Sequence, residues 1–388
     1  ASILVKRFPS HGLGRCQCPY AQRPIRYPCR GIGICPGSPI LFSINLSKAE
    51  KAVEIMNRNA LKIFFLCTMA AAAFIVFIVS INAGYSHLPL ADIFKGLLGN
   101  GESSTRLIIQ QIRLPRILVS LLCGAGLGLS GCILQSVTGN PLADPGILGI
   151  NNGAAVAVMV FLVYFPDFHT NSTLFMPIFA FIGALVVALL LYLFAFRSGR
   201  LNPSYFLLGG IAAAAGLYAI MLIMATGLEN SNFQMVSRWM VGTFWGTSWK
   251  HVFSLLIYLG IMIPVTLAQA RHLDVLVLGD SAATGLGLGV ERKRRLLLFL
   301  SVGLAAACIA VCGGLSFIGL VAPHIARRVL GGQHQFLLPG SALIGMTICM
   351  TADSIGRGIF QPTELPAGVI VSILAAPYFL YLLHRQHR

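Results

Sequence analysis

Charged residues are scarce in this sequence. Of its 388 residues, 10% are Asp, Glu, Lys or Arg and 56% are hydrophobic, whereas charged residues make up about 25% of an ordinary soluble domain. Apolar segments of the ~20 residues that a bilayer core requires of a helix recur along the chain. The composition therefore excludes a soluble fold, and the length allows about ten membrane-spanning helices.

The sequence also lacks the motifs of several protein classes. The phosphate-binding pattern G-x-x-x-x-G-K-[ST] does not occur, so the chain cannot itself be a P-loop ATPase. No Ser/His/Asp arrangement and no paired carboxylates share one predicted membrane depth, so intramembrane hydrolase chemistry has no visible basis. Acidic residues are also scarce inside the apolar segments, where only Asp353 approaches such a position. This scarcity argues against proton or sodium coupling.

Two patterns that suggest ligand binding are better explained by helix packing. Residues 126–131 match the dinucleotide pattern G-x-G-x-x-G, but they lie inside a long apolar segment rather than between a strand and a helix. Small residues at this spacing let membrane helices approach closely. Cys308 and Cys312 share one helical face, yet no His or carboxylate accompanies them, so packing is favoured over a metal site.

The net charge is +16, and membrane topology explains most of it. The basic residues lie in short segments between apolar ones, without the soluble basic face that nucleic-acid binding requires. From Lys48 onward, one set of segments contains fifteen of them: Lys48, Lys51, Arg58, Lys62, Arg197, Arg200, Arg271, Arg292, Lys293, Arg294, Arg295, Arg327, Arg328, Arg385 and Arg388. The other set contains seven: Lys95, Arg106, Arg113, Arg116, Arg238, Lys250 and Arg357. The positive-inside rule therefore places both termini and the 271–295 loop in the cytoplasm.

The apolar pattern predicts an all-α polytopic bundle of about ten spans. We expect them at residues 62–83, 114–137, 146–165, 174–196, 203–227, 251–270, 295–312, 315–330, 337–356 and 366–384. Residues 315–330 are few for a full crossing, so a tilted or broken helix is expected there. Residues 1–55 have no apolar periodicity and no pattern of a signal peptide. We treat them as a disordered tail or a start-site artefact ahead of Met56, with the membrane domain at 56–388.

The most specific motifs are spread over nearly the whole chain beyond the tail. They are Arg113-Leu114-Pro115-Arg116, Asn140-Pro141-Leu142-Ala143-Asp144-Pro145-Gly146, Arg238-Trp239, Gly319-Leu320-Val321-Ala322-Pro323-His324-Ile325-Ala326-Arg327, Ala352-Asp353 and Glu364-Leu365-Pro366-Ala367-Gly368. Together they resemble the FecCD-type permeases, which import iron-siderophores, haem and cobalamin. The resemblance covers about residues 58–384.

The resemblance implies a fold, a set of partners and a location. The fold would be that of a type II ABC importer permease, working as a homodimer or heterodimer. Two nucleotide-binding ATPase subunits would use ATP and Mg²⁺, and this chain would bind no cofactor and no metal of its own. An extracytoplasmic substrate-binding protein would deliver an iron-siderophore, haem or a related metal chelate. The chain would lie in the lipid of the bacterial cytoplasmic membrane and would bind no nucleic acid.

The resemblance also implies that three arginines receive carboxylates of the binding protein. They are Arg113, Arg116 and Arg357, which the charge count places on the outer face. Two cations near the start of a helix are unfavourable for that helix, and we expect no intramolecular acid within a helical turn of them. Acidic partners are therefore expected from outside the chain, with lipid phosphates as the alternative.

In the 271–295 loop, small residues precede a block of four cations. The resemblance implies that this loop fits a cleft in the ATPase through Leu278, Gly279, Asp280, Ala283, Gly285 and Gly287. A flat lipid anchor is the alternative role of the cations. Asn140, Leu142 and Asn202 break the apolar pattern on the cytoplasmic side, and they are first of all tight turns. The resemblance implies that they narrow the cytoplasmic end of the passage as a gate.

Two rival functions stay open at this point. One is a secondary transporter driven by an ion gradient, which would need intramembrane acids. The other is a membrane enzyme, for which no catalytic constellation is visible. A faint internal similarity also links residues 113–149 with residues 292–331, since both run from a basic start through a Gly-rich helix to a Pro-containing turn. It suggests an inverted-topology repeat with the passage near the repeat interface.

Overall fold

A computed structural model describes residues 39–83, 103–165, 172–197, 200–227, 230–359 and 364–386. The chain divides into two units, Ala1–Arg58 and Asn59–Arg388, close to the predicted boundary at Met56. The described part of the first unit is the beginning of a helix, so helix extends over the last part of the predicted tail. The second unit contains all the other elements.

The described chain is almost entirely helical. Its helices are α1 (Pro39–Asn82), α2 (Ser103–Leu107), which continues as a π-helical segment (Ile108–Arg113), α3 (Leu114–Thr138), α4 (Ile150–Tyr164), α5 (Ser172–Ala195), α6 (Pro203–Ala225), α7 (Asn230–Val241), α8 (Trp249–Ala268), α9 (Ala270–Leu276), α10 (Asp280–Gly285), α11 (Val290–Cys312), α12 (Ile318–Leu330), α13 (His334–Gly358) and α14 (Ala367–Gln386). Two strands of two residues each, β1 (Phe196–Arg197) and β2 (Arg200–Leu201), pair antiparallel before α6.

Within the described residues, seven helices are long and apolar enough to cross a membrane. They lie at Asn59–Asn82, Ser103–Thr138, Phe175–Ala195, Ser204–Ala225, Trp249–Ala268, Val290–Cys312 and His334–Gly358. The shorter helices α4, α12 and α14 occupy the other three predicted segments. Helix α12 has 13 residues, fewer than the ~20 that a full crossing requires, and the expected tilt or break there stays a prediction. The predicted all-α membrane bundle is confirmed.

Helix α3 is the centre of the bundle, and its glycines allow close neighbours. It packs against α8, α11, α12 and α13. A Cβ at Gly124 would collide with the carbonyl of Gly345 on α13, and a Cβ at Gly131 would collide with the backbone of Gly319 on α12. Cys308 of α11 fills the space above Gly126. The packing interpretation of residues 126–131 is therefore confirmed, because the backbones meet where side chains are absent.

Helices α3 and α11 are also joined by a pair of serines. Ser130 Oγ donates to the carbonyl of Ser301 at 2.6 Å, and Ser301 Oγ donates to the carbonyl of Ser130 at 2.8 Å. Both serines are buried. A reciprocal pair of this kind is what a local twofold relation between the helices produces. It agrees with the suggested inverted repeat, which stays a prediction.

The bundle has two polar ends, which we name by one residue each. At the Arg116 end, the start of α3 meets the end of α13 through Arg116 and Asp353. At the Asp274 end, the end of α3 meets α9 and the start of α13, where Asp274 contacts His334. The charge count assigned Arg116 and Arg357 to one side, and the structure brings both to Asp353. Which end faces the cytoplasm stays a prediction.

Candidate functional site

Arg116, one of the three predicted docking arginines, is paired with two carboxylates. Its Nη2 lies 2.8 Å from Asp353 Oδ1, its Nε donates to the same oxygen at 2.9 Å, and its Nη1 lies 2.8 Å from Glu364 Oε2. Its side chain is 9% exposed, against 1% for Asp353 and 41% for Glu364. Glu364 is therefore the member of this group that solvent, or a partner, can reach.

Arg113 and Arg357 are buried beside it and bind the end of α1. Arg357 Nε lies 3.0 Å from Asp353 Oδ2, and its Nη1 donates to the Ala83 carbonyl at 3.0 Å. Arg113 Nη1 donates to the Ile81 carbonyl at 2.7 Å. The arginines thus bind carbonyls at the end of one helix, where cations are favourable. They join α1, α3 and α13 into one polar cluster.

The expectation that these arginines have no intramolecular acid is wrong. Asp353 precedes Arg357 by one helical turn, and it reaches Arg116 from another helix. The sequence separation of 237 residues between Arg116 and Asp353 conceals that second contact. A buried charge must be paired to be tolerated, so internal acids are the physical requirement here. Docking of a binding protein on these arginines stays a prediction, with Glu364 as an internal competitor.

The coupling segment, which we define as residues 277–289 at the Asp274 end, exposes large apolar side chains. Val277, Leu278 and Leu286 are 60%, 62% and 67% exposed. Ala283 is fully buried and fixes α10 on the bundle. Large apolar side chains grouped at a polar end are typical of a surface that another protein covers.

Two further side chains hold the coupling segment in a defined shape. Arg294, which is buried, places its Nη2 2.7 Å from Asp280 Oδ1 and its Nη1 3.1 Å from Glu291 Oε1. Glu291 Oε2 also accepts from the backbone N–H of Leu201 at 3.3 Å, next to the turn at Asn202. One of the four cations predicted as lipid anchors is therefore an internal brace between α10 and α11.

The glycines of the coupling segment differ in why they are glycine. Gly279 and Gly287 have φ values of 95° and 81°, in the left-handed region that favours glycine whatever the neighbours are. A Cβ at Gly285 would meet nothing within 4 Å, and this residue lies in α10. Neither the backbone nor a neighbouring group of this chain therefore requires glycine at Gly285.

The three predicted gate residues lie in local turns. Asn140 Oδ1 accepts from the backbone N–H of Leu142 at 2.9 Å, so its side chain closes the turn after α3. Asn202 Oδ1 accepts from the N–H groups of Ser204 and Tyr205 at 3.0 and 3.3 Å and caps α6. The turn interpretation is confirmed, whereas a gate role for Asn140, Leu142 and Asn202 stays a prediction.

Asp144 is a buried acid in the loop between α3 and α4. Its Oδ2 accepts from the backbone N–H of Gly146 at 2.9 Å. Burial raises the pKa of this carboxyl to about 6, although backbone hydrogen bonds from Gly146, Ile147 and Phe317 oppose the rise. Its carboxylate occupies the space that a Cβ at Gly319, in the first turn of α12, would need. The sequence places Asp144 in a quoted motif but gives no sign of its burial.

The structure also brings together a serine, a histidine and an aspartate at the Asp274 end. His334 Nδ1 lies 2.7 Å from Asp274 Oδ1, and His334 Nε2 lies 2.7 Å from Ser136 Oγ. The expectation that no Ser/His/Asp arrangement exists is wrong, because 198 residues separate Ser136 from His334. No local pattern in the sequence reveals the contact. Among the described residues, no group of three or more His, Cys, Asp or Glu could hold a metal ion.

Similarity to known proteins extends over most of the chain. The model of the FecCD transport family matches residues 72–385. The chain is 41% identical over 317 residues, or 81% of this chain and 94% of the relative, to the iron(3+)-hydroxamate import system permease protein FhuG of Bacillus subtilis. It is 40% identical over 340 residues, or 87% of this chain and 99% of the relative, to the Fe(3+)-citrate import system permease protein YfmE of the same organism.

A solved structure gives the same result for the fold. It is an inward-facing conformation of a transporter assigned to the metal-chelate type of ABC transporters, with a TM-score of 0.73 and 26% identity, covering 83% of this chain and 99% of that chain. The family match begins within α1 and ends within α14, so the arginine cluster, the coupling segment and the gate turns all lie inside it. The chain belongs to the FecCD transport family.

Proposed function

We propose that this chain is the membrane-spanning permease subunit of an ABC importer that carries a ferric chelate across the bacterial cytoplasmic membrane. Ferric hydroxamates and ferric citrate are the first candidates, because they are what the two relatives named above import. The match covers nearly the whole length of both relatives. The proposal therefore rests on a whole permease rather than on one shared motif.

The observation that carries the proposal is the exposed coupling segment. Its three large apolar side chains lie at a polar end of the bundle and flank α10, the short helix that Arg294 holds in place through Asp280. Such a fixed apolar surface suits a second protein better than lipid headgroups, which need cations but no shaped surface. We assign this surface to the nucleotide-binding ATPase subunits, which would use ATP and Mg²⁺. The Asp274 end is then the cytoplasmic one.

The Arg116 end then faces outward and receives the substrate-binding protein. An acidic partner would compete with Glu364 for Arg116, since Glu364 is the exposed member of that cluster. A second permease subunit, identical or different, would complete the passage. The rival secondary transporter loses its one candidate acid, because Asp353 is paired with both Arg116 and Arg357.

Reconstitution tests the proposal directly. The complex, purified with its native partners, is placed in proteoliposomes and supplied with radio-iron-labelled ferric desferrioxamine, ferric citrate or haem. Uptake is expected only when ATP is supplied on the side of the membrane where the ATPase subunits lie and the binding protein is present on the other side. Uptake that follows an imposed proton or sodium gradient without ATP would instead support the secondary transporter. Uptake of haem alone would correct the substrate class.

A further inference from the structure

We propose that Asp274, His334 and Ser136 form a mechanical link that carries movement of the coupling segment to the end of α3, where the Asn140 turn begins. The inference rests on the proposed function and deepens it, because it names residues that connect ATP hydrolysis with the passage. Each of the three residues belongs to a different helix. The link therefore ties α9, α13 and α3 together at one end of the bundle.

The geometry of the link is continuous. Asp274 Oδ1 accepts from the His334 backbone N–H at 2.9 Å and lies 2.7 Å from its Nδ1. On the far side of the ring, Nε2 lies 2.7 Å from Ser136 Oγ, and that hydroxyl oxygen lies 2.9 Å from the Cys132 carbonyl oxygen. With the ring proton on Nδ1, His334 donates to Asp274, and Nε2 accepts from the Ser136 hydroxyl, for which the Cys132 carbonyl is a second acceptor within reach. Separation of the helices would leave buried polar groups without partners, so the row resists separation.

One end of the link adjoins the coupling segment, and the other adjoins the end of α3 before the Asn140 turn. Asp274 is on α9, three residues before the coupling segment, and the buried Leu273 and Leu276 pack this short helix on the bundle. Helix α9 also packs against α3 and α13. Ser136 is two residues before the end of α3, at Thr138. A shift of α10 by a docked ATPase thus has a direct polar route to the Asn140 turn.

A hydrolytic triad and a simple helix cap both fit these contacts less well than a link does. The order Ser, His, Asp matches a triad, but Ser136 and His334 are both buried. A substrate therefore cannot reach the Ser136 hydroxyl. A helix cap would need only the Asp274 half, which holds the start of α13. The Ser136 half has no part in that cap and distinguishes the link from it.

The experiment measures transport and ATP hydrolysis on the same proteoliposomes, with whichever labelled ferric chelate the wild-type complex carries. Ser136→Ala removes only the distal hydroxyl. We expect chelate transported per ATP hydrolysed to fall about tenfold, a typical size for coupling between sites, and Ser136→Thr to restore it. His334→Asn can keep the Asp274 contact and His334→Gln can keep the Ser136 contact, so each should lower the ratio.

Lys62→Ala is the matched control. Lys62 Nζ donates to Gln333 Oε1 at 2.7 Å, so this change also removes a polar contact beside His334, but one outside the link. An unchanged ratio in Ser136→Ala, or a full ratio in His334→Asn, would overturn the link and leave only the helix cap. Should Ser136→Ala fail to assemble, the two His334 variants decide. Absence of ATP-dependent uptake by the wild-type complex would count against the proposed function instead.

Discussion

At the residue scale, the cluster around Arg116 changes how docking on this end can be tested. A reversal of Arg116 to Glu would place a third carboxylate beside Asp353 and Glu364, which are both within 2.8 Å of the guanidinium. Like charges in a buried site are strongly unfavourable. The reversal would therefore damage folding as well as docking, and a milder change is needed.

Glu364→Gln is that milder change. Because it releases Arg116 Nη1 from an exposed partner, we expect the binding protein to bind about two- to fivefold more tightly, in line with the strength of exposed ion pairs. The gain should shrink at high salt. Titration of the reconstituted complex with the binding protein at two salt concentrations measures it. Asp280→Asn makes a comparable charge change at the Asp274 end and should leave docking unaltered, whereas weaker binding by Glu364→Gln would contradict competition.

Asp144 makes the stability of the fold depend on pH. Since burial raises its pKa from an ordinary 3.8 to about 6, the folded state holds the proton more tightly than the unfolded state. Its favourable contribution is complete below about 3.8 and is lost as the pH rises through about 6, a difference of about 3 kcal/mol. Asp144→Asn should therefore raise Tm at about pH 7.5 and leave it nearly unaltered below about pH 4. Thermal unfolding in detergent checks this, and an equal effect at both pH values would argue against it.

At the element scale, the coupling segment gives a steric prediction. Gly285→Trp adds bulk where the chain itself leaves open space, so transport should fall about tenfold or more if the ATPase lies against α10. Gly285 does not have the left-handed φ of Gly279 and Gly287, so backbone strain does not contribute to the effect of the substitution. Gly260→Trp in α8 also enters open space, away from the segment, and is the control. Normal transport by both variants would return the segment to the lipid-anchor interpretation.

Elements could be predicted from the sequence where the signal is local. Apolar length gave a helix in each of the ten predicted segments, and small residues at 126–131 indicated the close packing of α3. The contacts of the site could not be predicted in the same way. Arg116 with Asp353 and Ser136 with His334 join residues more than 190 positions apart, and neither pair has a spacing that one sequence can reveal. The burial of Asp144 likewise depends on α12, which approaches it from far along the chain.

At the scale of the whole molecule, the division of the chain predicts which part transports. The second unit begins at Asn59 and the family match begins at residue 72, so a chain starting at Met56 should insert, assemble and transport normally. A chain that also lacks residues 59–83 is the control. It should fail to assemble, because Arg113 and Arg357 would lose the Ile81 and Ala83 carbonyls. Expression and uptake assays decide, and loss of assembly on truncation at Met56 would show that the tail is needed.

The glycine seam between α3 and α13 has a consequence for the surrounding bilayer. Gly124 lies against Gly345 and Gly128 lies against Ser341 with no side chain between the backbones, so these two helices of 25 residues each cannot slide past each other without a clash. A pair of this kind has a fixed hydrophobic height. When acyl chains are shortened or lengthened, the pair must tilt as one body while the lipid adjusts around it. Bilayer thickness should therefore act on transport through the outer helices, which are less buried in the bundle, and leave the centre of the bundle unaltered.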